Sequence, residues 1–258
     1  MKKYLFRILG LKNYLKLLHW GFHSMYAIGA LKRNYIYKYH YFDKNIIREG
    51  DVVLDIGANL GYYTKLFAKW VGKRGTVYAV EPVEFFANTI SWGTRNFKNI
   101  YLYNVALGEE EKDVFLSTPG HFGYLRTGLA HVTDPAEASG SEFAFRAKMK
   151  KASRLFSTLK KIDFIKCDIE GYEYIVLPEM KDILVKFKPV IQLETWGDQK
   201  EKIENFLLSL GYRIYALDEK ILKPVAEVKV KEQGDYIFIH NDNNDIIDRL
   251  SKQGLMQH

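Results

Sequence analysis

Polar side chains and glycines follow directly after a short apolar run near residue 52. Asp55 ends the run, and Gly57, Asn59 and Gly61 come after it. Glycines let a backbone approach a ligand closely and leave N–H groups free at the start of a helix. A carboxylate there attracts an ammonium group and repels phosphate, and the loop lacks the middle glycine of the G-x-G-x-x-G dinucleotide motif. The pattern therefore favours a ligand with a cationic ammonium group over a dinucleotide.

The next apolar run ends in a second carboxylate, Glu81, which Pro82 follows. Glu81 stands 26 residues after Asp55, where a carboxylate in an α/β fold can accept both hydroxyls of a ribose. A ligand that combines an ammonium group, a ribose and an adenine is S-adenosylmethionine. We therefore expect S-adenosylmethionine as the cofactor.

Asp168 and Glu170 form the candidate catalytic pair. They lie two residues apart, on one face if the strand continues through them. A hydroxyl is a poor nucleophile at neutral pH, so a carboxylate that takes its proton helps the reaction. We expect Asp168 to face the methyl donor and the acceptor, with Glu170 or Glu194 supporting it. Two alternatives stay open: Glu170 caps the next helix or pairs with Lys166, or the three carboxylates hold a divalent cation.

Two further candidates come from less specific positions. His131 lies in a long stretch rich in Gly, Ser and Pro, which should hang over the strand ends. It is a candidate base or substrate contact, although a lone histidine in a loop is usually solvated. Tyr62 lies at the start of the helix predicted after the glycine loop. It is a candidate to contact the edge of the cofactor.

These side chains need elements that bring them to one edge of a sheet. Short apolar strands alternate with helical segments from Asp43 onward, which predicts an α/β fold with a parallel sheet covered by helices on both faces. In such sheets ligands bind beyond the carboxyl ends of the strands, where the acids stand. Residues 109–161 interrupt the alternation. Two strand patterns there flank a long loop, which predicts an inserted β-hairpin and loop on the substrate side.

The chain resembles the FkbM family of S-adenosylmethionine-dependent methyltransferases. The resemblance covers about residues 50–240, and it rests on the stretches "DVVLDIGANLGYYT", "VYAVEP", "NVALG", "IDFIKCDIEGYEYIVL" and "PVIQLE". It implies a Rossmann-like methyltransferase fold with a mostly parallel seven-stranded sheet and a C-terminal antiparallel hairpin. It also implies methyl transfer to a hydroxyl oxygen.

The resemblance assigns roles to residues of this chain. Asp55, Gly57, Asn59 and Gly61 would line the methionine end of the cofactor, Glu81 the ribose, and Asn104, Val105 and Ala106 the adenine edge. One position departs from the family pattern. The family often has a Leu-Asp pair before the helix leading into the fourth strand, where this chain has Ser153 and Arg154.

The first 42 residues carry eight Lys or Arg and no Asp or Glu, and the rest of the chain is near neutral. The main expectation for this arm is a helix packed on the catalytic domain with its lysines in water. The alternative is an interfacial helix on anionic lipid. We accordingly divide the chain into an N-terminal helical arm (1–42), a methyltransferase domain (43–241) with a variable substrate-side insert (109–161), and a C-terminal helical tail (242–258).

The function that these patterns favour is O-methylation of a small molecule or a glycan. The chain lacks the Asn/Asp-Pro-Pro-aromatic motif of amino-methylating nucleic-acid enzymes, and acids at the strand ends repel a phosphate backbone; we therefore expect no nucleic-acid partner. The alternative is a non-catalytic module that binds a membrane surface or a protein through its arm. One cysteine suits a reducing compartment, so we expect a cytoplasmic protein, with peripheral contact at the inner membrane face as an option for the arm.

Overall fold

The computed structural model describes residues 2–118, 120–121, 124–125, 127, 130–141, 143–195, 200–225 and 234–257. The strands are β1 Val52–Ile56, β2 Thr76–Val80, β3 Ile100–Tyr103, β4 Ala106–Leu107, β5 Lys112–Thr118, β6 Gly120–His121, β7 Tyr124–Leu125, β8 His131–Thr133, β9 Phe143–Lys150, β10 Phe164–Cys167, β11 Val190–Thr195, β12 Tyr212–Asp218, β13 Ile221–Val225 and β14 Gly234–His240. The helices are α1 Lys2–Ala27, α2 Lys38–Phe42, α3 Tyr62–Trp70, α4 Glu84–Gly93, α5 Pro135–Gly140, α6 Ala152–Leu155, α7 Glu173–Glu179, α8 Lys181–Phe187, α9 Lys200–Ser209 and α10 Asn244–Lys252.

The main sheet has the strand order β13-β12-β14-β11-β10-β1-β2-β3. The five strands from β3 to β11 run parallel, and β14, β12 and β13 continue the sheet with antiparallel pairing. The chain proceeds outward from β1 on one side and from β10 on the other. Ligands bind at such a reversal of strand order. The α/β class and the antiparallel C-terminal strands are thus as predicted.

The sheet has eight strands rather than the predicted seven. The extra strand, β13, pairs with β12 at the edge of the sheet. The sequence does not indicate β13 as a strand because Lys223 and Pro224 interrupt its apolar pattern. Proline is tolerated there because an edge strand leaves backbone groups unpaired. The predicted third strand also differs: it breaks at Asn104, and its last part, β4, joins a second sheet.

Helices cover both faces of the main sheet because successive side chains of a buried strand point in opposite directions. Val53 belongs to the cluster that packs α3 and α10, whereas Leu54 belongs to the cluster that packs α6, α7, α8 and α9. Both side chains are fully buried. The site residues therefore stand on strand ends that two helical layers hold in place.

The insert forms its own sheet, with the order β4-β9-β5-β8. β5 and β9 pair as an antiparallel hairpin, as the sequence predicts. β8 and the short helix α5 were not predicted and lie in the long connection between them. The apolar face of this sheet, with Leu116 and Met149 buried, packs over the carboxyl ends of β1 and β2 together with the first half of α1. The insert is therefore a wall of the region where a ligand would bind.

Candidate active site

A cavity lies at the carboxyl ends of β1, β2 and β10, beneath the insert. Its walls come from the two strand-end loops, from the start of α4 and from the insert. The lining residues are Ile56, Gly57, Asn59, Val80, Glu81, Pro82, Phe86, Val105, Ala106, Leu107, Leu116, Ala130, His131, Val132, Asp168, Ile169, Glu170 and Tyr172. The cavity encloses about 70 Å³.

The loop after β1 passes against the end of β10 with no room for a side chain. A Cβ on Gly57 would stand 1.8 Å from the carbonyl oxygen of Asp168, and Gly57 has φ +79. Only glycine combines this backbone conformation with so close an approach. The N–H groups of Gly57 and Ala58 both donate to the carbonyl of Val80 at 3.0 Å, which ties the loop to the neighbouring strand.

Glu81 holds the second strand-end loop to the first. Its Oε2 accepts the N–H of Asn59 at 2.7 Å, and its Oε1 accepts the N–H of Val83 at 2.8 Å. Burial raises the pKa of this carboxyl to about 8, against the effect of these two hydrogen bonds. Each oxygen keeps a further lone pair that can accept a hydroxyl.

Two buried oxygen atoms at the β1 end have no hydrogen-bond partner among the described residues. They are Oδ1 of Asn59, which lines the cavity, and Oδ1 of Asp55. Asp55 is fully buried behind the cavity wall, and its Oδ2 accepts the hydroxyl of Thr64 at 2.5 Å. Burial raises the pKa of Asp55, and the opposite charge of Lys166 lowers it. The free Oδ1 of Asn59, which faces the cavity, fits a ligand with an N–H donor.

Asp168 stands beside a buried lysine. The ammonium of Lys166 lies 2.9 Å from Oδ2 of Asp168 and 4.9 Å from the ring centroid of Tyr63. Glu194 hydrogen-bonds to Asp168, and burial together with the charges of Asp168 and Asp235 raises the pKa of Glu194 to about 8. Two carboxyls in contact, one of them protonated near neutral pH, can receive and return a proton.

Asp168 and Glu170 both lie at the cavity, but they do not share a strand face as the sequence predicts. β10 ends at Cys167, so neither carboxylate lies on the strand, and Glu170 has φ +54 in the left-handed region. Both line the cavity nonetheless. Burial and the charge of Asp168 raise the pKa of Glu170 to about 8. The acid that accepts a backbone N–H at the start of α7 is Glu173, from Ile169 at 2.8 Å.

His131 lies on β8 and lines the cavity from the insert side. Its Nε2 is 3.3 Å from the hydroxyl of Ser117 and 3.9 Å from a carboxylate oxygen of Glu137. The hydroxyl-bearing ring of Tyr172 also lines the cavity. Tyr172 was not predicted, because nothing in its sequence context separates it from a tyrosine that packs in the core.

Of the other predicted cofactor residues, Pro82, Val105 and Ala106 line the cavity. Tyr62 instead stacks on Phe22 of α1, with ring centroids 4.3 Å apart. Asn104 braces the Glu81 loop, since its side chain donates to the carbonyls of Glu81 and Pro82 at 2.8 and 3.0 Å.

Gly61 precedes α3 with φ +75, packed against Ile90. It shapes the loop from behind and does not line the cavity among the described residues. Direct contacts to a cofactor from Asp55, Gly61, Tyr62 and Asn104 therefore stay predictions, and the backbone and packing give each of them a structural role.

The apolar wall of the cavity was also missed. It comes from Phe86 on α4 and from Leu116 and Val132 of the insert. The sequence of β5 predicts a strand, but it does not indicate which cavity the buried side chains face. Among the described residues, no group of three or more His, Cys, Asp or Glu side chains has the geometry of a metal site.

A second cavity, of about 730 Å³, opens on the other side of the acid pair. Glu194 and Asp235 lie at its inner end. Three tyrosines, two lysines and seven other residues complete its lining. The lining residues are Tyr35, Ile36, Lys38, Tyr39, Glu194, Ala216, Leu217, Asp218, Lys223, Pro224, Val225, Gly234, Asp235 and Tyr236. Asp168 lines the first cavity and Glu194 lines the second, and the two carboxyls hydrogen-bond to each other, so this pair lies between the cavities.

Known proteins share this fold and part of this sequence. A structure of the methyltransferase FkbM from Methylobacillus flagellatus KT is similar with a TM-score of 0.53 and 16% identity, covering 79% of this chain and 48% of that chain. Fibrillarin from Aeropyrum pernix, in complex with natively bound S-adenosyl-L-methionine, has a TM-score of 0.43 and 12% identity, covering 75% of this chain and 68% of that chain. A protein-L-isoaspartate O-methyltransferase from Methanosarcina mazei is 35% identical over 83 residues, which are 32% of either chain.

The chain thus spans about half the length of the solved FkbM structure and about a third of the curated relative. The sequence model of the methyltransferase FkbM domain matches residues 55–214. This match covers more than half of the chain and includes the loops of β1 and β2 and the end of β10. The protein therefore belongs to the FkbM methyltransferase family.

Proposed function

We propose that this protein transfers the methyl group of S-adenosylmethionine to a hydroxyl oxygen of a small molecule or glycan. The observation that carries the proposal is the hydrogen-bonded pair Asp168–Glu194, of which one member lines each cavity. One cavity has the polar lining for the cofactor, and the other leaves room for an acceptor beside the carboxyls. A transfer reaction needs both ligands in contact at one point.

The cavity under the insert has groups suited to each part of the cofactor. Asn59 Oδ1 can accept from the methionine ammonium, and the lone pairs of Glu81 can accept the ribose hydroxyls. Pro82 and Val105 give apolar walls for an adenine. When bound, the cofactor supplies an activated methyl group on a sulfonium, whose positive charge the acids at the strand ends favour.

The acceptor hydroxyl must lose its proton as its oxygen gains the methyl group. Asp168 and Glu194 are the groups placed to take that proton, because each lines one of the two cavities and they hydrogen-bond to each other. Lys166 holds the Asp168 carboxylate from behind, away from solvent. His131 is the second candidate, since it reaches the same cavity from the insert.

The lining of the second cavity suits a polar acceptor with an extended surface. The exposed ring of Tyr35 can pack against the C–H groups of a sugar, and the ammonium of Lys38 lies beside it. Carboxylates at the inner end disfavour a phosphodiester backbone. A glycan or a hydroxylated small molecule fits these features.

Calorimetry with S-adenosylmethionine and S-adenosylhomocysteine tests the cofactor site. We expect the wild-type protein to bind both, and Asn59→Gly and Glu81→Gln each to weaken binding by about tenfold or more, since a lost hydrogen bond to a charged group is worth roughly 1.5–3 kcal/mol. Glycine keeps the left-handed backbone of residue 59 accessible. Glu201→Gln, at an exposed position of α9, is the control. Absence of binding to folded wild-type protein would overturn the proposal and favour the non-catalytic module.

The chemistry of the product tests the proposed acceptor atom. Labelled methyl groups transferred to a hydroxyl form ethers, which survive mild alkali, whereas methyl esters of carboxylates release methanol. We expect alkali-stable label on glycan or small-molecule acceptors. Asp168→Asn should reduce turnover while calorimetric cofactor binding persists. Alkali-labile label would exclude the hydroxyl as the acceptor.

A further inference from the structure

The N-terminal arm has an exposed apolar surface that a helix packed in water does not need. Seven of the eleven large hydrophobic side chains that are exposed in the described part of the chain lie between residues 4 and 36. The most exposed are Ile28, at 81%, Ile8, at 79%, and Tyr35 and Ile36, at 72% each. Such clustering marks an interaction surface rather than the scattered exposure of an ordinary protein.

The outer face of α1 has an unusual composition. The inner face carries Leu15, His19 and Phe22, all buried against the catalytic domain. The opposite face carries Trp20, exposed to 62%, and Ser24, and Ile28 follows just beyond the end of the helix. No Lys, Arg, Asp or Glu occurs in residues 17–31. A helix face that only meets water would carry charges.

The two histidines of this segment do not supply a charge either. Burial lowers the pKa of His19 and lowers that of His23 to about 2. Both imidazoles are therefore neutral at physiological pH, and the outer face stays uncharged. Packing against the domain explains the inner face of α1 but leaves the outer face unexplained.

Basic residues bracket the apolar segment on both sides. Lys12 and Lys16 precede it, and Lys32 and Arg33 follow it, with no acid before Asp43. An apolar stretch flanked by cations can place its apolar side chains in a lipid interface while the cations reach the headgroups. Lysine and arginine stems can extend along apolar groups to reach headgroups.

A groove beside this surface has the same chemistry. It encloses about 470 Å³ between α1 and α4, and its lining residues are Lys12, Lys16, Phe85, Asn88, Thr89 and Trp92. The ammonium of Lys16 lies 5.1 Å from the ring centroid of Trp92. No carboxylate lines the groove among the described residues, so it suits an anionic headgroup next to aromatic rings.

We propose that residues 3–36 dock the enzyme on the surface of an anionic lipid bilayer, with Trp20 and Ile28 in the interface and Lys12 and Lys16 on headgroup phosphates. Charge complementarity selects this partner, because eight cations without an acid favour an anionic surface over a second copy of the same basic arm. No helix among the described residues is long and apolar enough to span a bilayer, which fits binding in the plane of the interface.

Vesicle sedimentation with the full-length protein tests the proposal. We expect binding to phosphatidylcholine vesicles that contain phosphatidylglycerol and at least about tenfold weaker binding to phosphatidylcholine alone, since each basic residue near an anionic surface contributes on the order of fivefold. Lys12→Glu with Lys16→Glu should weaken the binding by about tenfold or more. Trp20→Ser with Ile28→Ser should weaken it to a similar extent and remove the apolar contribution that persists at high salt.

Matched controls lie on α8 and α9, which cover the other face of the main sheet. Val185→Ser with Leu208→Ser removes two exposed apolar side chains there, and Lys186→Glu with Lys202→Glu reverses two exposed charges. These variants should bind vesicles as the wild type does, and circular dichroism should show that all variants fold.

Three results would overturn the proposal: no binding of the wild type to anionic vesicles, equal losses in the arm and control variants, or a dimer that Trp20→Ser with Ile28→Ser dissociates. Sedimentation velocity without lipid identifies the last case.

Discussion

Lys166 is the cation on which the acids of the site depend. Its side chain is 4% exposed, and it lies among the carboxylates of Asp168, Asp55 and Asp235. Burial opposes the charge on the ammonium, but these three carboxylates outweigh burial and raise the pKa of Lys166 above its ordinary value. The lysine therefore stays charged throughout the physiological pH range.

Replacement of Lys166 leaves buried carboxylates without a counter-charge. We expect Lys166→Met to lower the free energy of unfolding at neutral pH by about 3–5 kcal/mol. Lys161→Met, which removes a half-exposed cation 3.1 Å from Asp163, should cost about 0–1 kcal/mol. Urea denaturation measures both.

The double variant Lys166→Met with Asp168→Asn separates the charge from packing. It should be more stable than Lys166→Met alone, because the uncompensated charge is removed with its partner. Equal stability of the two variants would mean that Lys166 contributes through packing.

Single residues show what the sequence could and could not indicate. A lysine inside the apolar run before Asp168 predicts a nearby acid, and the partner is Asp168. Conversely, strand alternation predicts a shared face for Asp168 and Glu170, yet β10 ends before either of them. The end of a strand depends on tertiary pairing, which a short, mostly apolar run such as Phe164–Cys167 does not encode.

At the scale of elements, the close crossing of the β1 loop and the end of β10 sets the position of the acids. Gly57 lets the two backbones approach, and the loop is tied to β2 through the carbonyl of Val80. Asp168 is thereby held at the edge of the cavity.

A methyl group on residue 57 should disrupt this crossing. We expect Gly57→Ala to abolish cofactor binding and to destabilise the protein by well over the ~1–2 kcal/mol that a left-handed backbone costs an alanine, because the added Cβ meets the carbonyl oxygen of Asp168. Gly254→Ala is the control. Gly254 has φ +69 and nothing within 4 Å of the added Cβ, so it incurs only the backbone cost. Similar losses in both variants, by thermal unfolding, would show that the crossing tolerates a side chain.

The elements also show where prediction from sequence stops. The strand–helix alternation predicts the parallel part of the main sheet, and the sheet has that architecture. β8 escaped prediction because it has only three residues, and β13 because Lys223 and Pro224 interrupt its apolar pattern; they form by pairing with β5 and β12. The sequence also could not indicate that the insert covers the cavity, since that depends on packing between distant segments.

At the scale of the molecule, the buried acids of the site affect how the free energy of unfolding depends on pH. Burial raises the pKa of Glu81, Glu170 and Glu194 to about 8 from an ordinary 4.5. The folded protein then binds more protons than the unfolded chain between these values, so the carboxyls lower stability as pH rises. Buried histidines act in the opposite sense, since the lowered pKa values of His23 and His40 add stability as pH rises towards 6.5.

The two effects separate above pH 6.5, the ordinary pKa of histidine. We expect the free energy of unfolding of the cofactor-free protein to fall between about pH 6.5 and about pH 8, where only the carboxyls still change the proton balance. Glu194→Gln should flatten this fall by removing one titrating group. Urea denaturation across the range measures the slope, and stability that rises through this window would contradict the expectation.

Tyr35 and Ile36 belong to two surfaces at once, because they line the second cavity and lie among the exposed apolar residues of the arm. On a docked enzyme the mouth of that cavity would open at the level of the lipid headgroups. Acceptors that carry a lipid anchor would then reach it by lateral diffusion within the leaflet, at an effective concentration set by their surface density. Turnover would follow the mole fraction of acceptor in the bilayer, and the same acceptor released into solution would be a poorer substrate.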